Sequence, residues 1–247
     1  MVTNNSGLAT VTEDFVYMLA ADDVLLPGFF EKSLTVLMQN PEADICCTHS
    51  ANLFGTKLDI NSDLKKPSTV PCYFNPKELV TVLSEGRLWI PGHTSIVRTE
   101  VCRQAGAYLP ELKWYSDWFL IHVLAFRSGL CYVPDALAAF RVSHTSFCAK
   151  GERDRIVVSK LVWHIIELLN SPKYKDVQNS FFESGIFRNW PDLRHEITRS
   201  PRPWPDWQSK PIYPGARSKI KTAIKDFVYF VGGDRLLGFI KWQRRRL

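Results

Sequence analysis

The sequence lacks any apolar run of the roughly 18 residues that a membrane-spanning helix needs. Its first fifteen residues, MVTNNSGLATVTEDF, contain neither a basic stretch nor an apolar one, so we expect no secretory signal peptide. It also lacks internal repeats and low-complexity segments. These absences argue against membrane-spanning, repeat and disordered proteins, and they leave a globular protein of one sizeable domain, with or without an appendage.

Cysteine pairs at metal-binding spacing are also missing. The six cysteines include no C-x-x-C pair, and the adjacent Cys46 and Cys47 would point to opposite faces of a strand. This pattern argues against a zinc site and against a disulfide framework. We expect the cysteines to be small, buried, apolar side chains of a protein in a reducing compartment.

The body of the chain carries little net charge. Residues 216–247 contain nine Lys or Arg and two Asp, a net charge of +7, whereas the whole chain is +6. The remaining residues therefore sum to −1. Because nucleic-acid-binding domains usually carry a basic face on the folded body, we expect no nucleic-acid partner.

What is present is an alternation of apolar strand-like and helical segments, which predicts an α/β fold. Helix signals include Pro27 at a first helical position, Ser116 as an N-cap and Gly129 as a C-cap. Residues 55–75 are predicted to form an exposed loop, and the chain from about residue 152 is predicted to be helical. The predicted strands are 14–20, 43–54, 94–98, LCYVP and ALAAFRV, and the predicted helices are 27–39, 75–86 and 116–129.

Two adjacent carboxylates, Asp22 and Asp23, directly follow the first predicted strand. Ligands of open α/β sheets bind beyond the carboxyl ends of the strands. Two carboxylates at that edge can hold a hard divalent cation that bridges a diphosphate. Alternatively, Asp22 caps the helix that begins near Pro27, or both residues fill a turn.

Four segments, in order, resemble family 2 glycosyltransferases, which have the GT-A fold. The resemblance covers roughly residues 5–148. The four are NSGLATVTEDF (5–15), DFVYMLAADDVLLPGFFEKSL (14–34), IPGHTSIVRTEVCRQAGAYLPELKWYSDWFL (90–120) and YVPDALAAFRVSHTS (132–146). The resemblance implies a Rossmann-like mixed sheet flanked by helices, with a mainly helical C-terminal extension. It also implies sugar transfer from a nucleotide-diphosphate donor to an acceptor hydroxyl, with inversion, in glycan or cell-surface polysaccharide biosynthesis.

By the same resemblance, Asp22 is the ligand of a divalent metal, Mn²⁺ or Mg²⁺, and Asp23 assists it or holds the ribose. Asp117 is the catalytic base. The first Asp of the family's D-x-D motif is replaced by Ala20, so fewer carboxylates hold the metal. The alternative for Asp117 is a purely electrostatic interaction with the helix dipole.

Seven further residues are candidates for substrate binding. Trp114 and Trp118 could form an apolar wall for a sugar ring. Gly92 and His93, in the PGHTS turn, are candidates for the acceptor side. The remaining candidates have structural alternatives, a solvated or ion-paired arginine and a structural histidine: Arg98, Arg141 and His144.

The family's nucleotide-binding strands and helices precede the segment at 5–15, where this chain has only a handful of residues. Because a βαβ unit takes at least about 30 residues, we expect the N-terminal part of the nucleotide-binding region to be missing. The expected domains are a partial GT-A catalytic domain (1–150), a helical extension (151–199), a Pro/Trp-rich hinge (200–215) and a basic amphipathic tail (216–247).

The tail at 216–247 interleaves apolar and basic residues, as membrane-surface helices do. It could equally pack on the body with a solvated basic end. We expect a cytoplasmic protein with peripheral contact at the inner face of the membrane, and a glycan or lipid-linked acceptor. The alternative function is a non-catalytic fragment or interaction module with a surface-binding tail.

Overall fold

The computed structural model describes residues 1–60, 65–143 and 146–189 of the chain. The strands are β1 (Phe15–Tyr17), β2 (Val24–Leu25), β3 (Ile45–Phe54), β4 (Lys57–Ile60), β5 (Cys72–Phe74), β6 (Ser95–Arg98) and β7 (Leu130–Arg141). The helices are α1 (Val2–Thr10), α2 (Phe29–Gln39), α3 (Pro76–Ser84), α4 (Thr99–Gln104), α5 (Ser116–Ser128), α6 (Phe147–Gly151), α7 (Arg155–Asn170), α8 (Gln178–Glu183) and α9 (Ile186–Asn189).

The strands form one mixed sheet in the order β1-β6-β3-β7-β2, with β4 paired to β3 and β5 paired to β7. The β3–β7 pair is parallel, and β6 runs antiparallel to both β1 and β3. Strands β1, β3 and β7 therefore point the same way, and their carboxyl ends share one edge of the sheet. The predicted mixed α/β fold with flanking helices is confirmed.

Strands β3 and β7 form the centre of the sheet because both are apolar and buried along most of their length. Ile45, Cys46 and Cys47 are completely buried, as are Cys131 and Val133 on the neighbouring strand. All six cysteines are free, in agreement with the expectation of unpaired thiols. A strand that is covered on both faces reads as a continuous apolar run, which explains the pattern of ICC and LCYV.

Several predicted strand limits are wrong. The strand predicted at 14–20 is only Phe15–Tyr17, and the two short strands predicted from LCYVP and ALAAFRV are one continuous strand, β7. The predicted loop at 55–75 contains both β4 and β5. Gly55, at a φ of 62°, allows a two-residue hairpin between Phe54 and Lys57, a turn that the sequence analysis missed.

Helix ends follow the backbone conformation of glycine more closely than the proline signal. Helix α2 begins at Phe29 and not at Pro27, because Gly28 adopts a left-handed conformation (φ 89°) as the N-cap. The predicted N-cap of α5 is also wrong, since Tyr115 is the N-cap and Ser116 is the first helical residue. The predicted stop at Gly129 is confirmed, with a φ of 80°.

Helix α5 is buried along almost all of its length, as its sequence predicted. Its side chains pack into an aromatic core with the helices that follow β7, chiefly through Phe119, Phe181 and Phe187. His122 lies inside this core, where burial lowers its pKa to about 4, so the ring is neutral at pH 7.

Strand β1 pairs with β6 on one side, and within the described ranges no strand pairs with its other side. Strand β1 is therefore an edge strand of the described part of the sheet. The four predicted domain limits stay predictions. Of these domains, the hinge (200–215) and the basic tail (216–247) lie outside the described residues.

Candidate functional site

The two adjacent carboxylates lie in an exposed turn between β1 and β2, at the carboxyl-end edge of the sheet. The Asp23 Oδ1 atom accepts a hydrogen bond of 2.9 Å from the backbone N–H of Arg141. The Arg141 Nε atom donates to the Asp22 carbonyl (2.9 Å), and Nη1 donates to the Gly55 carbonyl (2.8 Å). Arg141 therefore holds the turn in place from the end of β7.

Asp23 is half-buried, whereas the neighbouring Asp22 is exposed. Burial raises the pKa of Asp23, and the charge of Asp22 adds to this effect. The hydrogen bond from the Arg141 backbone and the Arg141 charge act in the opposite direction. The turn therefore presents one exposed carboxylate and one half-buried carboxylate whose pKa is raised.

Asp117 occupies the first turn of α5, where the helix dipole favours an ionised carboxylate. Its Oδ1 atom accepts a hydrogen bond of 2.7 Å from the backbone N–H of Trp118. Its Oδ2 atom lies against Gly92, where an added Cβ would be only 2.5 Å away. Despite these contacts, burial of the carboxyl dominates and raises the pKa of Asp117.

Tyr17 and His93 connect the two acidic positions. The Tyr17 hydroxyl donates to the His93 carbonyl at 2.8 Å, and His93 directly follows Gly92, which abuts Asp117. Burial of Tyr17, together with the charge of nearby Asp23, raises the pKa of its hydroxyl. Contacts therefore run from Tyr17 through the Gly92–His93 turn to Asp117, and Asp23 lies near enough for its charge to act on the Tyr17 hydroxyl.

The ring of His93 is held on this turn by two neighbours. Its Nε2 atom lies 2.9 Å from the Ser50 Oγ atom, and its ring centre lies 5.6 Å from that of Phe140. Burial lowers the pKa of His93 to about 4, so the imidazole is neutral at pH 7. The register of β3 against β7 shifts on both sides of His49, and such irregularities re-aim side chains near functional sites.

The two tryptophans expected to stack on a sugar lie in the core, and their role in substrate binding stays a prediction. Trp118 is 4% exposed and packs edge-on against Phe181 and Phe187. Trp114 is 8% exposed and is covered by α6, through Phe147 and Gly151. Helix α5 is buried on nearly all sides, so Trp118, in its first turn, has no solvent-facing side to occupy.

Arg98 lies away from the Asp22–Asp23 turn, and its predicted phosphate contact stays a prediction. It lies at the end of β6 opposite Phe15, and therefore at the other edge of the sheet from Asp22. Its Nε atom donates to the Ala43 carbonyl (3.0 Å) and lies 3.7 Å from the Asp44 carboxylate. The ion-pair alternative is thus what the structure shows. His144 lies outside the described residues.

Tyr17 and Ser50 were not among the predicted site residues. Tyr17 donates to the His93 carbonyl, and Ser50 lies against the His93 ring. Tyr17 was counted only as part of a buried strand, and Ser50 only as part of β3. A signal was available for Ser50, because Thr48, His49 and Ser50 form an unusual polar run within a buried strand. No comparable signal marks Tyr17, since tyrosine is common in strands.

The donor set at the turn fits a hard divalent cation only with help from a substrate. Among the residues that the structure describes, no three His, Cys, Asp or Glu side chains gather in a metal-binding group. Asp22 is free to coordinate, whereas Asp23 already uses one carboxylate oxygen on Arg141. One or two carboxylates plus phosphate oxygens is the usual way in which Mg²⁺ is held in nucleotide sites.

No family model and no curated protein matches the chain in sequence. Its structure is similar to S. aureus TarS 1–349 in complex with UDP, with a TM-score of 0.50 and 14% identity over 92% of this chain and 59% of that one. The same TarS fragment in complex with UDP-GlcNAc also matches, with a TM-score of 0.50 and 14% identity over 73% of this chain and 51% of that one.

This chain spans between one half and three fifths of those TarS structures. Identity at this level shows the fold alone. The protein has a glycosyltransferase-like fold, a mixed sheet that matches part of the GT-A arrangement. Within the part of the chain that the structure describes, no helix is long and apolar enough to cross a membrane.

Proposed function

We propose that this protein belongs to the family 2 glycosyltransferases and transfers a sugar from a nucleotide-diphosphate donor to an acceptor hydroxyl, with inversion. The observation that carries the proposal is that Tyr17 contacts the Gly92–His93 turn, against which Asp117 lies, and is also near the charge of Asp23, whose turn is bonded to the carboxyl end of β7. Ligands of open α/β sheets bind at such edges. The TarS complexes with UDP and UDP-GlcNAc share this fold and indicate which donors to test first.

In this proposal the Asp22–Asp23 turn lies on the donor side. Its carboxylates, held in place by Arg141, would hold Mn²⁺ or Mg²⁺ together with the phosphates of the donor. When bound, the metal ion would neutralise the negative charge that develops on the leaving diphosphate. Arg141 acts here as the support of the turn, because two of its nitrogens already donate to backbone carbonyls.

Asp117 lies on the acceptor side as the general base. A base is most effective when its pKa approaches the working pH, and burial moves the pKa of Asp117 in that direction. The hydrogen bond from the Trp118 N–H fixes one carboxylate oxygen and leaves the other, beside Gly92, for the acceptor hydroxyl. A single displacement assisted by one base inverts the anomeric centre.

The acceptor belongs to the same proposal. A glycan or lipid-linked acceptor in cell-surface polysaccharide biosynthesis, at the cytoplasmic face of the membrane, is favoured by the composition of the basic tail (216–247). His93 would contact this acceptor as a neutral hydrogen-bonding ring.

The test is calorimetric titration of the chain with UDP-GlcNAc in the presence of Mn²⁺, and again with EDTA in place of the metal. Binding that requires the metal is the expected result. If UDP-, GDP- and dTDP-sugars all fail to bind in Mn²⁺, the proposal is contradicted and the interaction-module alternative is favoured.

A further inference from the structure

Tyr17 is held by packing on one side and by a single hydrogen bond on the other. Its ring lies 4.8 Å from that of Phe29 and 5.9 Å from that of Phe30, measured between centres, both at the start of α2. Its hydroxyl crosses to the segment before β6 and donates to the His93 carbonyl at 2.8 Å. The ring is thereby fixed, and the hydroxyl acts as a rigid support for the Gly92–His93 turn.

That turn is the surface on which the Asp117 carboxyl rests. Only a residue without a side chain fits at Gly92, because a Cβ would lie 2.5 Å from Oδ2 and 3.3 Å from Cγ of Asp117. The Gly92 backbone therefore limits how far the carboxyl can move. The turn is short, so a shift of His93 also moves Gly92.

We propose that Tyr17 is a positioning residue for Asp117, acting through the Gly92–His93 turn. This inference rests on the proposed function, in which Asp117 is the base. Tyr17 also lies near enough to Asp23 for that charge to act on its hydroxyl. Loss of the Tyr17 hydroxyl loosens the turn, admits water to the Asp117 carboxyl and changes its environment.

The experiment compares Tyr17→Phe with Tyr73→Phe in the full chain. Tyr73 is a matched control, since its hydroxyl also donates to a backbone carbonyl, that of Ser128, at 2.9 Å. The Asp117 carboxyl is titrated by ¹³C NMR of Asp-labelled protein, with Asp117→Asn to assign its signal. We expect Tyr17→Phe to lower the Asp117 pKa by about 0.5 unit or more, a part of the several units that full burial can impose, and Tyr73→Phe to leave it unchanged.

A second pair of variants tests the path through the turn. Gly92→Ala should displace the Asp117 carboxyl and alter its titration, whereas Gly7→Ala, at a position with no atom within 4 Å of an added Cβ, should not. An unchanged Asp117 titration in Tyr17→Phe, or an equal change in Tyr73→Phe, would overturn the inference. Equal unfolding midpoints for the two tyrosine variants would show that any difference is local.

The NMR measurement requires neither donor nor turnover, which separates the two proposals. If Asp117 responds to Tyr17→Phe but no nucleotide sugar binds the wild type, the coupling stands and the proposed function fails. If nucleotide sugars bind but Asp117 does not respond, the proposed function stands and Tyr17 has only a packing role. When both hold, kcat should fall in Tyr17→Phe with KM for the donor little changed, because the base acts only as the acceptor attacks.

Discussion

The two acidic positions use the same residue type in opposite environments. Asp22 and Asp23 lie in a turn that faces solvent and is tied down by one arginine, Arg141. Asp117 begins a helix whose body is embedded in an aromatic core, and its carboxyl is desolvated. The surroundings, and not the carboxylate itself, therefore make one position open to solvent and the other desolvated.

The largest expected effect is on turnover in Asp117→Asn. Asparagine keeps the shape of the side chain but cannot accept the proton of the acceptor hydroxyl. We expect kcat to fall by about 10²- to 10⁴-fold, the usual contribution of a general base. Metal-dependent binding of the nucleotide sugar, measured by calorimetry on the same preparation, should be nearly unchanged. If Asp117→Asn abolishes nucleotide binding, Asp117 belongs to the donor side.

The aromatic core behind Asp117 is tested by Trp118→Ala. Trp118 is almost completely buried, so its truncation should lower the free energy of unfolding by about 3–5 kcal/mol. Trp89, at 39% exposed, is the control, and Trp89→Ala should lose about 1 kcal/mol or less. Both values come from urea denaturation. A small loss of unfolding free energy in Trp118→Ala would support the predicted contact of Trp118 with the sugar.

The desolvation of Asp117 predicts a pH dependence of stability with a definite sign. Its pKa is raised above 3.8, so the folded protein keeps a proton that the unfolded chain has released. The free energy of unfolding therefore falls as the pH rises from about 3.8 to the raised value, and this loss persists above it. Asp117→Asn removes the loss and should be more stable than the wild type at neutral pH.

Asp176 provides the control with the opposite sign. Its pKa is lowered, chiefly by a hydrogen bond from Arg127, so it contributes stability that is lost as the pH falls through the lowered value. Asp176→Asn should therefore be less stable than the wild type at neutral pH. Urea unfolding at several pH values measures both variants, and the same sign for the two would refute the environmental contrast.

On the solvated side, Asp22→Asn should weaken the metal-dependent affinity for the nucleotide sugar. The substitution removes a hard anionic ligand of the metal. We expect the affinity to fall by at least about tenfold, because mutating even a residue that only supports a metal ligand usually costs that much. Asp14→Asn is the matched control, because Asp14 is also exposed but adjoins the opposite end of β1. Equal affinities for the two variants would show that the Asp22–Asp23 turn does not bind the metal.

The smallest effect is expected for Arg141→Ala, which frees the turn without removing a carboxylate. Nucleotide-sugar affinity should fall by less than about tenfold, that is by less than about 1.4 kcal/mol. Arg127→Ala is the control, because Arg127 also bonds a backbone carbonyl and a carboxylate, at another part of the surface. Calorimetry should show no change of affinity there. A larger loss in Arg141→Ala than in Asp22→Asn would make Arg141 a direct phosphate ligand.

Patterns local in the chain carried much of the fold. The buried runs of β3 and β7, the helix of α5 and its stop at Gly129 follow from apolar periodicity and glycine conformation, which need no distant partner. The hairpin at Gly55 and the start of α2 were missed because both depend on a left-handed glycine whose neighbours give no further signal. The burial of Trp114 and Trp118 and the position of Arg98 could not be predicted, because motif position does not show which side of an element faces solvent.

The mixed α/β fold, the two carboxylates after β1 and the position of Asp117 in the first turn of a helix could be predicted from the sequence. Each depends on residues that are close together in the chain. The contacts of Tyr17 and Ser50 with His93, and of Gly92 with Asp117, are visible only in the folded structure. The same is true of the position of Arg98 at the opposite edge of the sheet. The physical reason is that pairing and direction of strands set which ends meet. In this protein the carboxyl ends of β3 and β7 meet because the two strands are parallel, and β1 points the same way because the antiparallel β6 lies between it and β3.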